Sequence, residues 1–346
     1  MESPTHLTIL APTMVAPARR QTLSEALTSG TSIGRKPVVP ESFRVPVADT
    51  GPIDLGSAAV RESLHRSQIS AEAIDSLFYA FTYYQGSHFF SPSHAVARRA
   101  GLDRAVPIGI QQMCNGVGTA LSLSENVAAG QGFTSVIASS DVFAAPGFDR
   151  WGADYGIVYG DAATAMIATN QLEVIDRAHG SICTVVATAT AALSQLEAMH
   201  YAPDMLSLDP ARGLPVNVRA TKKRYLEHYG KDLLHKSLQR SVEELIDQVT
   251  VAATIASAIP DGRVWLPRLL SETIDSIYLP AIRRSTPLQT EPVPETGHLG
   301  AGDLTANLAD CVADPQNHDA THLFISAGAG FTITVAAITV APRRES

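Results

Sequence analysis

A chain of 346 residues is long enough for about two domains, or for one large α/β domain with a sizeable core. A hydrophobic content of 45% and a charged content of 17% are typical of globular proteins and exclude a disordered chain. The net charge of −8 argues against a nucleic-acid partner, because a surface that neutralises phosphates needs clustered Lys and Arg, and no long block of these residues is present.

Segments typical of strands and of helices alternate along the chain, which predicts an α/β protein. In chain order the patterns predict a loop over 35–52, helices over 57–66 and 93–100, strands over 134–142 and 160–169, a long helical region over 221–258, a strand over 263–267, a loop over 280–294 and a strand pair over 321–340. No fixed-period repeat interrupts this alternation.

The sequence carries no signal for a membrane protein or for a disulfide-bonded one. No apolar run reaches about eighteen residues and no signal-peptide pattern is present, so we expect no membrane contact and a cytoplasmic location. Cys114, Cys183 and Cys311 lie far apart without CxxC spacing, which excludes a zinc ribbon and disfavours a disulfide framework. We therefore expect no bound metal, Cys183 and Cys311 in the core, and thiolate chemistry for any reactive cysteine.

Cys114 stands in the stretch QQMCNGVGTAL, between a strand-like apolar run and a helical run of small residues. A thiol at a helix N-terminus lies at the positive end of the helix dipole, which lowers its pKa and favours the thiolate. Gly116 and Gly118 allow close packing and leave room for a substrate. The alternative is an inert core thiol, a common environment for cysteine. The local pattern leaves both interpretations open.

Three sequence blocks occur in the order and spacing of one enzyme family. Residues 91–142, from SPSHAVARRA to ASSDV, have the order of a PS-x-A helix, a strand, a cysteine turn, a long helix and a G-x-A strand. Residues 157–167 (IVYGDAATAMI) and 325–338 (ISAGAGFTITVAAI) match an F-G-D-G-A-G-A strand and a C-terminal G-x-G-F/L-T-W-G-A strand. In these blocks the chain resembles β-ketoacyl-ACP synthase III, of the thiolase superfamily, over about residues 50 to 340. The first fifty residues fit poorly.

The resemblance implies a thiolase-like α/β fold with two similar halves, here 1–170 and 171–346, packed in α-β-α-β-α layers. It implies a homodimer with Cys114 near the dimer interface. The backbone N–H groups of Cys114 and Gly330 would form the oxyanion hole, a large term in catalysis of acyl transfer. The family has no tightly bound cofactor, and its acyl donor is an acyl carrier protein or a CoA thioester.

The chain departs from the condensing members of this family at two blocks. The family's V-P-H-Q-A-N motif aligns with LPRLLS, so Arg268 stands at the histidine position and Ser271 at the asparagine position. Its G-N-T-S-A-A-S motif aligns with GHLGAGD, which places His298 at the second asparagine position. An arginine cannot act as a neutral imidazole donor, because it keeps its proton at physiological pH. Decarboxylative condensation is therefore disfavoured.

His298 and Asp303 suggest a different chemistry for the Cys114 thioester. Asp303 follows His298 by five residues across a Gly-rich turn, so its carboxylate can meet one imidazole nitrogen while the other faces Cys114. This arrangement resembles the acyltransferase branch of the family in antibiotic and other secondary-metabolite pathways. Asp303 can alternatively cap the following helix, DLTANLAD.

Two other functions stay open at this point. A family branch that primes polyketide chains has a similar His-x4-Asp arrangement, so a decarboxylative β-ketoacyl synthase III is the alternative. A catalytically silent partner that only shapes another subunit is a second, disfavoured by the retained cysteine and the His298/Asp303 pair.

Further candidate residues lie between these blocks. His200 falls in the segment where the family lines its substrate tunnel, and it is a candidate for proton transfer or acyl binding, with a structural histidine as the alternative. A basic stretch is the candidate docking site for a carrier protein, with a solvated helix start as the alternative: Arg219, Lys222, Lys223 and Arg224. His88 and His94 are expected to be structural.

Overall fold

The computed structural model describes residues 6–32, 37–201, 206, 208–209 and 215–341. Within these ranges, none of the helices combines the length and apolar character that spanning a bilayer requires. The first two positions of the predicted loop 35–52 lie outside the described residues.

Among the described residues, nine strands form one mixed sheet. From edge to edge they are β5 (Val106–Ile110), β4 (Ser76–Ala80), β6 (Thr134–Asp141), β7 (Ala162–Thr169), β1 (Thr8–Val15), β8 (Ile182–Ala192), β11 (Thr332–Val340), β10 (Ala320–Gly328) and β9 (Val264–Trp265). Pairing is parallel for β4 with β5 and β6 and for β9 with β10, and antiparallel elsewhere. A separate two-stranded ribbon joins β2 (Arg20–Gln21) to β3 (Val45–Pro46).

Strand β1 joins the two parts of the sheet. Thr8 pairs with Thr169 of β7 on one side and with Thr184 of β8 on the other. The segment before residue 50, which fits the family pattern poorly in sequence, therefore supplies a central strand. Strands β1 to β7 precede residue 170 and β8 to β11 follow it; the division into two domains there stays a prediction.

The helices lie in three layers around this sheet. They are α1 (Leu23–Thr28), α2 (Pro52–Ser67), α3 (Pro92–Ala100), α4 (Gly116–Ala128), α5 (Leu172–Arg177), α6 (Val218–Tyr229), α7 (Lys231–Ile255), α8 (Ser271–Thr273), α9 (Leu279–Ser285) and α10 (Asp303–Ala313), with a π-helical turn over Ile274–Tyr278 between α8 and α9. Helices α2 and α3 share a core with β4, β6 and β7, whereas α7 and α9 share another with β8, β10 and β11.

Helices α4 and α10 lie between the two parts of the sheet and share one buried core with both. Leu121 of α4 and Leu308 of α10 are packed with Ile137 of β6 and Phe324 of β10. Because strand residues alternate between faces, the neighbours of Ile137 point instead to the α2/α3 side. Strands β6 and β7 are buried throughout, since helices cover both of their faces. The predicted α-β-α-β-α layer order is thus confirmed.

Most predicted elements are present, with three local differences. The helical region 221–258 is divided at Gly230, whose φ of +81° is in the left-handed region, into α6 and α7. The stretch 280–294 is not wholly a loop, because α9 begins at Leu279 and accepts Pro280 in its first turn. In the predicted strand 263–267, only Val264–Trp265 pairs, with β10.

Candidate active site

Cys114 lies in a single 3₁₀ turn, Met113–Asn115, directly before α4. The glycines that follow are required by packing: a Cβ at Gly116 would lie 2.7 Å from Ala80 Cβ, and one at Gly118 only 2.4 Å from Asn115 Oδ1. The turn therefore rests directly on β4. Cys114 is partly exposed and lines a cavity of about 480 Å³.

His298 and Asp303 meet as the sequence predicts. His298 Nδ1 lies 2.5 Å from Asp303 Oδ2, and both residues are buried. Asp303 is the first residue of α10, and its carboxylate also accepts from the backbone N–H of Leu299 at 2.8 Å and of Arg268 at 2.7 Å. Cys114 and His298 line the same cavity, and the Cys114 side chain is close enough for a thiolate charge on it to act on the imidazole. The structure thus brings Cys114, His298 and Asp303 together beside one cavity.

The neighbouring charges set the protonation state of the His298 imidazole. Burial lowers the pKa of His298, but the negative charges of Asp303 and of a Cys114 thiolate outweigh burial and raise that pKa well above its usual value. For Asp303, burial raises the pKa of the carboxyl. The His298 imidazolium and the Arg268 guanidinium lower this pKa by more, so that it lies below its usual range. The resting site therefore favours an imidazolium paired with the Asp303 carboxylate.

A second buried carboxylate, Asp141, holds the Gly-rich turn between His298 and Asp303. Asp141, at the end of β6, accepts from the backbone N–H groups of Thr82 and Tyr83 at 2.9 Å and of Ala301 at 3.4 Å. Our sequence reasoning missed this residue. The signal for it was an acidic residue at the end of a strand-like run, in ASSDV, since a charge at the end of a buried strand implies several hydrogen-bond donors nearby.

The turn between β10 and β11 packs on the Cys114 turn. A Cβ at Gly328 would lie 2.5 Å from the backbone nitrogen of Asn115 and 2.7 Å from the carbonyl oxygen of Gln112. Gly330 follows in the same turn with a φ of +124°, a conformation that favours glycine. The pairing of the Gly330 and Cys114 amides as an oxyanion hole stays a prediction.

The cavity that contains Cys114 is mainly apolar and carries a few polar groups. His298 and His200 line it together with apolar side chains that include Phe143, Phe148, Leu234, Ile277 and Phe331. His200 therefore shares the cavity with the predicted nucleophile. Burial, reinforced by the charge of Lys222, lowers the pKa of His200 to about 4, so that its imidazole is neutral at physiological pH.

Arg268 lies outside this cavity. It is buried, and its guanidinium donates to Thr296 Oγ1 and Asn307 Oδ1, both at 2.9 Å, and to Asp310 Oδ2 at 2.6 Å. Ser271 begins α8 and is exposed, and neither residue contacts the Cys114 cavity. The two positions that carry His and Asn in the condensing motif thus place no side chain near the thiol.

The predicted basic patch is divided by the structure. Lys222 points inward, lines the Cys114 cavity and forms an ion pair with the buried Asp154, so it supplies no surface charge. Arg219 lies over the ring of Tyr155 at 4.4 Å. Lys223 and Arg224 are exposed, and a docking role for them stays a prediction. The prediction that Lys222 belongs to a surface patch is wrong, because one face of its helix, α6, lies against the cavity.

The remaining cysteines and histidines named above lie away from the cavity. Cys183 and Cys311 are buried, as expected, and burial raises the pKa of the Cys183 thiol to about 12. His94 Nδ1 lies 2.8 Å from Ser91 Oγ at the start of α3, and His88 packs against Tyr84 with ring centroids 5.0 Å apart.

No protein-family model and no curated protein matches the chain. Solved structures do match it. ChlB3, described as an acyltransferase, has a TM-score of 0.80 at 21% identity over 98% of both chains. The priming β-ketosynthase from the R1128 polyketide biosynthetic pathway has a TM-score of 0.66 at 16% identity, over 100% of this chain and 99% of that chain. The 3-oxoacyl-[acyl-carrier-protein] synthase III from Aquifex aeolicus VF5 has a TM-score of 0.65 at 15% identity, over 97% and 98%. The chain therefore has the thiolase-like fold of these ketosynthase III-type structures.

Proposed function

We propose that this chain is an acyltransferase that carries an acyl group as a Cys114 thioester. The donor is an acyl carrier protein or CoA thioester, and the acceptor is a hydroxyl, amine or thiol in natural-product biosynthesis. The observation that carries the proposal is that Cys114 and His298 line one cavity, with Asp303 Oδ2 2.5 Å from Nδ1 of His298. The resemblance in fold to ChlB3, described as an acyltransferase, supports it.

In the first half-reaction the Cys114 thiolate attacks the donor thioester carbon. The C–S bond to the donor breaks, and the leaving thiolate takes a proton from the His298 imidazolium. The thiolate charge that raises the pKa of His298 disappears when the acyl group is attached. Having given its proton to the leaving group, the imidazole stays neutral and is available as a base when the acceptor needs one.

In the second half-reaction the acceptor attacks the acyl carbon and gives its proton to His298. The tetrahedral intermediate expels the Cys114 thiolate, which restores the resting ion pair. Asp303 holds Nδ1 of the imidazole, so the other nitrogen faces the reacting groups throughout. The backbone N–H groups of Cys114 and Gly330 are proposed to hold the oxyanion in both steps.

A decarboxylative β-ketoacyl synthase III is the second candidate. One observation favours it: His200 and His298 place two imidazoles in the cavity, and a neutral imidazole donor is what a malonyl thioester carbonyl needs. Against it, Arg268 stands at the expected histidine position with its side chain directed into the core. Transfer to a heteroatom needs only the groups that are in place, and we therefore prefer it.

Mass spectrometry of the intact protein tests the covalent mechanism, and a labelled-CO₂ assay separates the two functions. We expect an acyl adduct after incubation with an acyl-CoA or acyl carrier protein, lost in Cys114→Ala and retained in Cys183→Ala, since Cys183 is a buried core thiol. An adduct that persists in Cys114→Ala contradicts the covalent mechanism. Release of labelled CO₂ from malonyl-CoA with a carbon–carbon product would establish the synthase instead.

We also propose the homodimer as the assembly of this chain. The edge strand β5 exposes 59% of Val106 and 40% of Ile108. An unpaired apolar edge of this kind is normally covered by a partner. Light scattering on the purified protein tests this proposal, and a monomer at micromolar concentration contradicts it.

A further inference from the structure

A buried polar cluster lines the cavity beside Cys114, His298 and Asp303. It consists of Asp154, Tyr159, His200 and Lys222. Lys222 Nζ lies 2.5 Å from Asp154 Oδ1, with 13% and 2% of the two side chains exposed. The hydroxyl of Tyr159 donates to Asp154 Oδ2 at 3.3 Å. The proposed acyl transfer uses none of these four side chains.

His200 is incompletely satisfied within this cluster. Its Nδ1 is buried and has no hydrogen-bond partner among the described residues. Its ring packs edge-on against Phe331, with centroids 5.2 Å apart, on the side of the β10–β11 turn. Because buried polar atoms are nearly always hydrogen-bonded, an unpartnered nitrogen on a residue that lines the cavity indicates a missing ligand atom.

The cluster adjoins the reacting atoms. The ring of Tyr159 lies 5.6 Å from that of His298, centroid to centroid, and packs against Phe143 and Phe148 on its other sides. Tyr159 therefore connects the polar cluster to the proposed base. A substrate group bound to the cluster would lie next to the atoms that exchange the acyl group.

The chemistry of the cluster selects an uncharged ligand. Lys222 and Asp154 cancel each other's charge and the imidazole of His200 is neutral, so the cluster has no net charge to offset a buried ion. It offers donors on the ammonium of Lys222 and acceptors on the carboxylate of Asp154. A hydroxyl group donates and accepts at once and matches both.

We infer that Asp154, His200 and Lys222 form a recognition subsite for an uncharged hydroxyl group of the substrate. This inference rests on the proposed acyl transfer. The hydroxyl has two potential sources, a hydroxylated acyl group or a polyhydroxylated acceptor, and the two half-reactions distinguish them. The first source affects the formation of the Cys114 adduct, and the second affects its decay.

The acylation arm compares 3-hydroxybutyryl-CoA with butyryl-CoA, which differ by one hydroxyl. The transfer arm compares myo-inositol with cyclohexanol as acceptors for the preformed butyryl-enzyme. In one of the arms we expect the hydroxylated compound to react at least about 10-fold faster, because a site built to bind a hydroxyl rejects the analogue that lacks it. His200→Leu should abolish this preference, and His200→Gln, which keeps a polar side chain, should retain part of it.

The ion pair is tested as a unit. Lys222→Met alone would leave Asp154 buried and unpaired, so the double change Lys222→Met/Asp154→Asn is used and its fold is checked by thermal unfolding. It should also abolish the preference. His228→Gln and Lys236→Met, at exposed positions outside the cavity, are the matched controls and should retain it.

The outcomes separate this inference from the proposed function. An adduct that forms on Cys114 without preference in either arm overturns the subsite and leaves the acyl transfer standing. Preference retained in the His200→Leu and double variants also overturns the subsite. No adduct with any thioester overturns both. Preference in the acylation arm assigns the hydroxyl to the acyl group, and preference in the transfer arm assigns it to the acceptor.

Discussion

The backbone N–H of Arg268 donates to Asp303 Oδ2 at 2.7 Å, and the same oxygen lies 2.5 Å from Nδ1 of His298. The side chain of Arg268 does not bind this oxygen and donates instead to Thr296 and Asn307. The residue at the expected histidine position thus supports the carboxylate that holds His298, through its backbone. Its side chain anchors the backbone that makes this contact possible.

This relationship predicts the result of replacing Arg268 by histidine. We expect no decarboxylase activity in Arg268→His, because the side chain at this position points away from Cys114. The variant should lose about 3 kcal/mol of unfolding free energy, the low end for a broken buried ion pair, since the partner Asp310 is 38% exposed. Urea unfolding and a labelled malonyl-CoA assay measure the two effects. A gain of CO₂ release would show that position 268 reaches the thioester.

Asp303→Asn tests the orientation of the imidazole. The carboxylate accepts three hydrogen bonds, and an amide in its place must point a donor at one of those N–H groups. We expect acylation of Cys114 to slow by on the order of 10⁴-fold, as when a triad carboxylate becomes an amide. Single-turnover acylation measures this, with the exposed Asp275→Asn as the control.

The same variant should change the pH dependence. Asp303 raises the pKa of His298, so its removal lowers that pKa. The imidazolium that protonates the leaving thiol is lost as pH rises through the pKa of His298. The alkaline limb of the acylation profile should therefore move to lower pH in Asp303→Asn. An unchanged limb would mean that another group controls it.

Local patterns predicted the parts of the site that are contiguous in sequence. Cys114 at a helix start and His298 with Asp303 across a Gly-rich turn are each set by a few neighbouring residues, and the structure places them as the patterns indicate. The strand pair over 321–340 followed from alternation around one short turn. Contacts within short segments can be inferred because the backbone geometry itself fixes them.

Contacts between distant segments could not be predicted in this way. Strand β1 is central because it pairs with two strands that lie 148 residues or more further along the chain. The side chains of Arg268 and Lys222 point inward because each finds a buried carboxylate or amide on another element. Charged residues are exposed in most proteins, so the sequence alone predicts an exposed side chain. Only the folded structure shows that a buried partner on another element holds it inside.

His200 gives a prediction for the pH dependence of stability. Its folded pKa of about 4 lies below the usual 6.5, so the unfolded chain binds the proton more readily between these values. This residue should therefore make the unfolding free energy fall as pH decreases from about 6.5 to about 4. Urea unfolding across this range should show a shallower decline in His200→Leu than in the wild type. An identical decline would mean that His200 is solvated.

The contact between the β10–β11 turn and the Cys114 turn gives the last prediction. In Gly328→Ala the new methyl group meets backbone atoms of Asn115 and Gln112 at 2.5 and 2.7 Å, and backbone cannot rotate away as a side chain can. The thiol must therefore shift, and a shift of about 1 Å at a reacting atom lowers the rate by about 100-fold. Intact-mass acylation kinetics measure the effect. Gly130→Ala is the control, because its methyl group meets only one atom, at 3.8 Å. Equal rates in the two variants would show that β10 does not position the nucleophile.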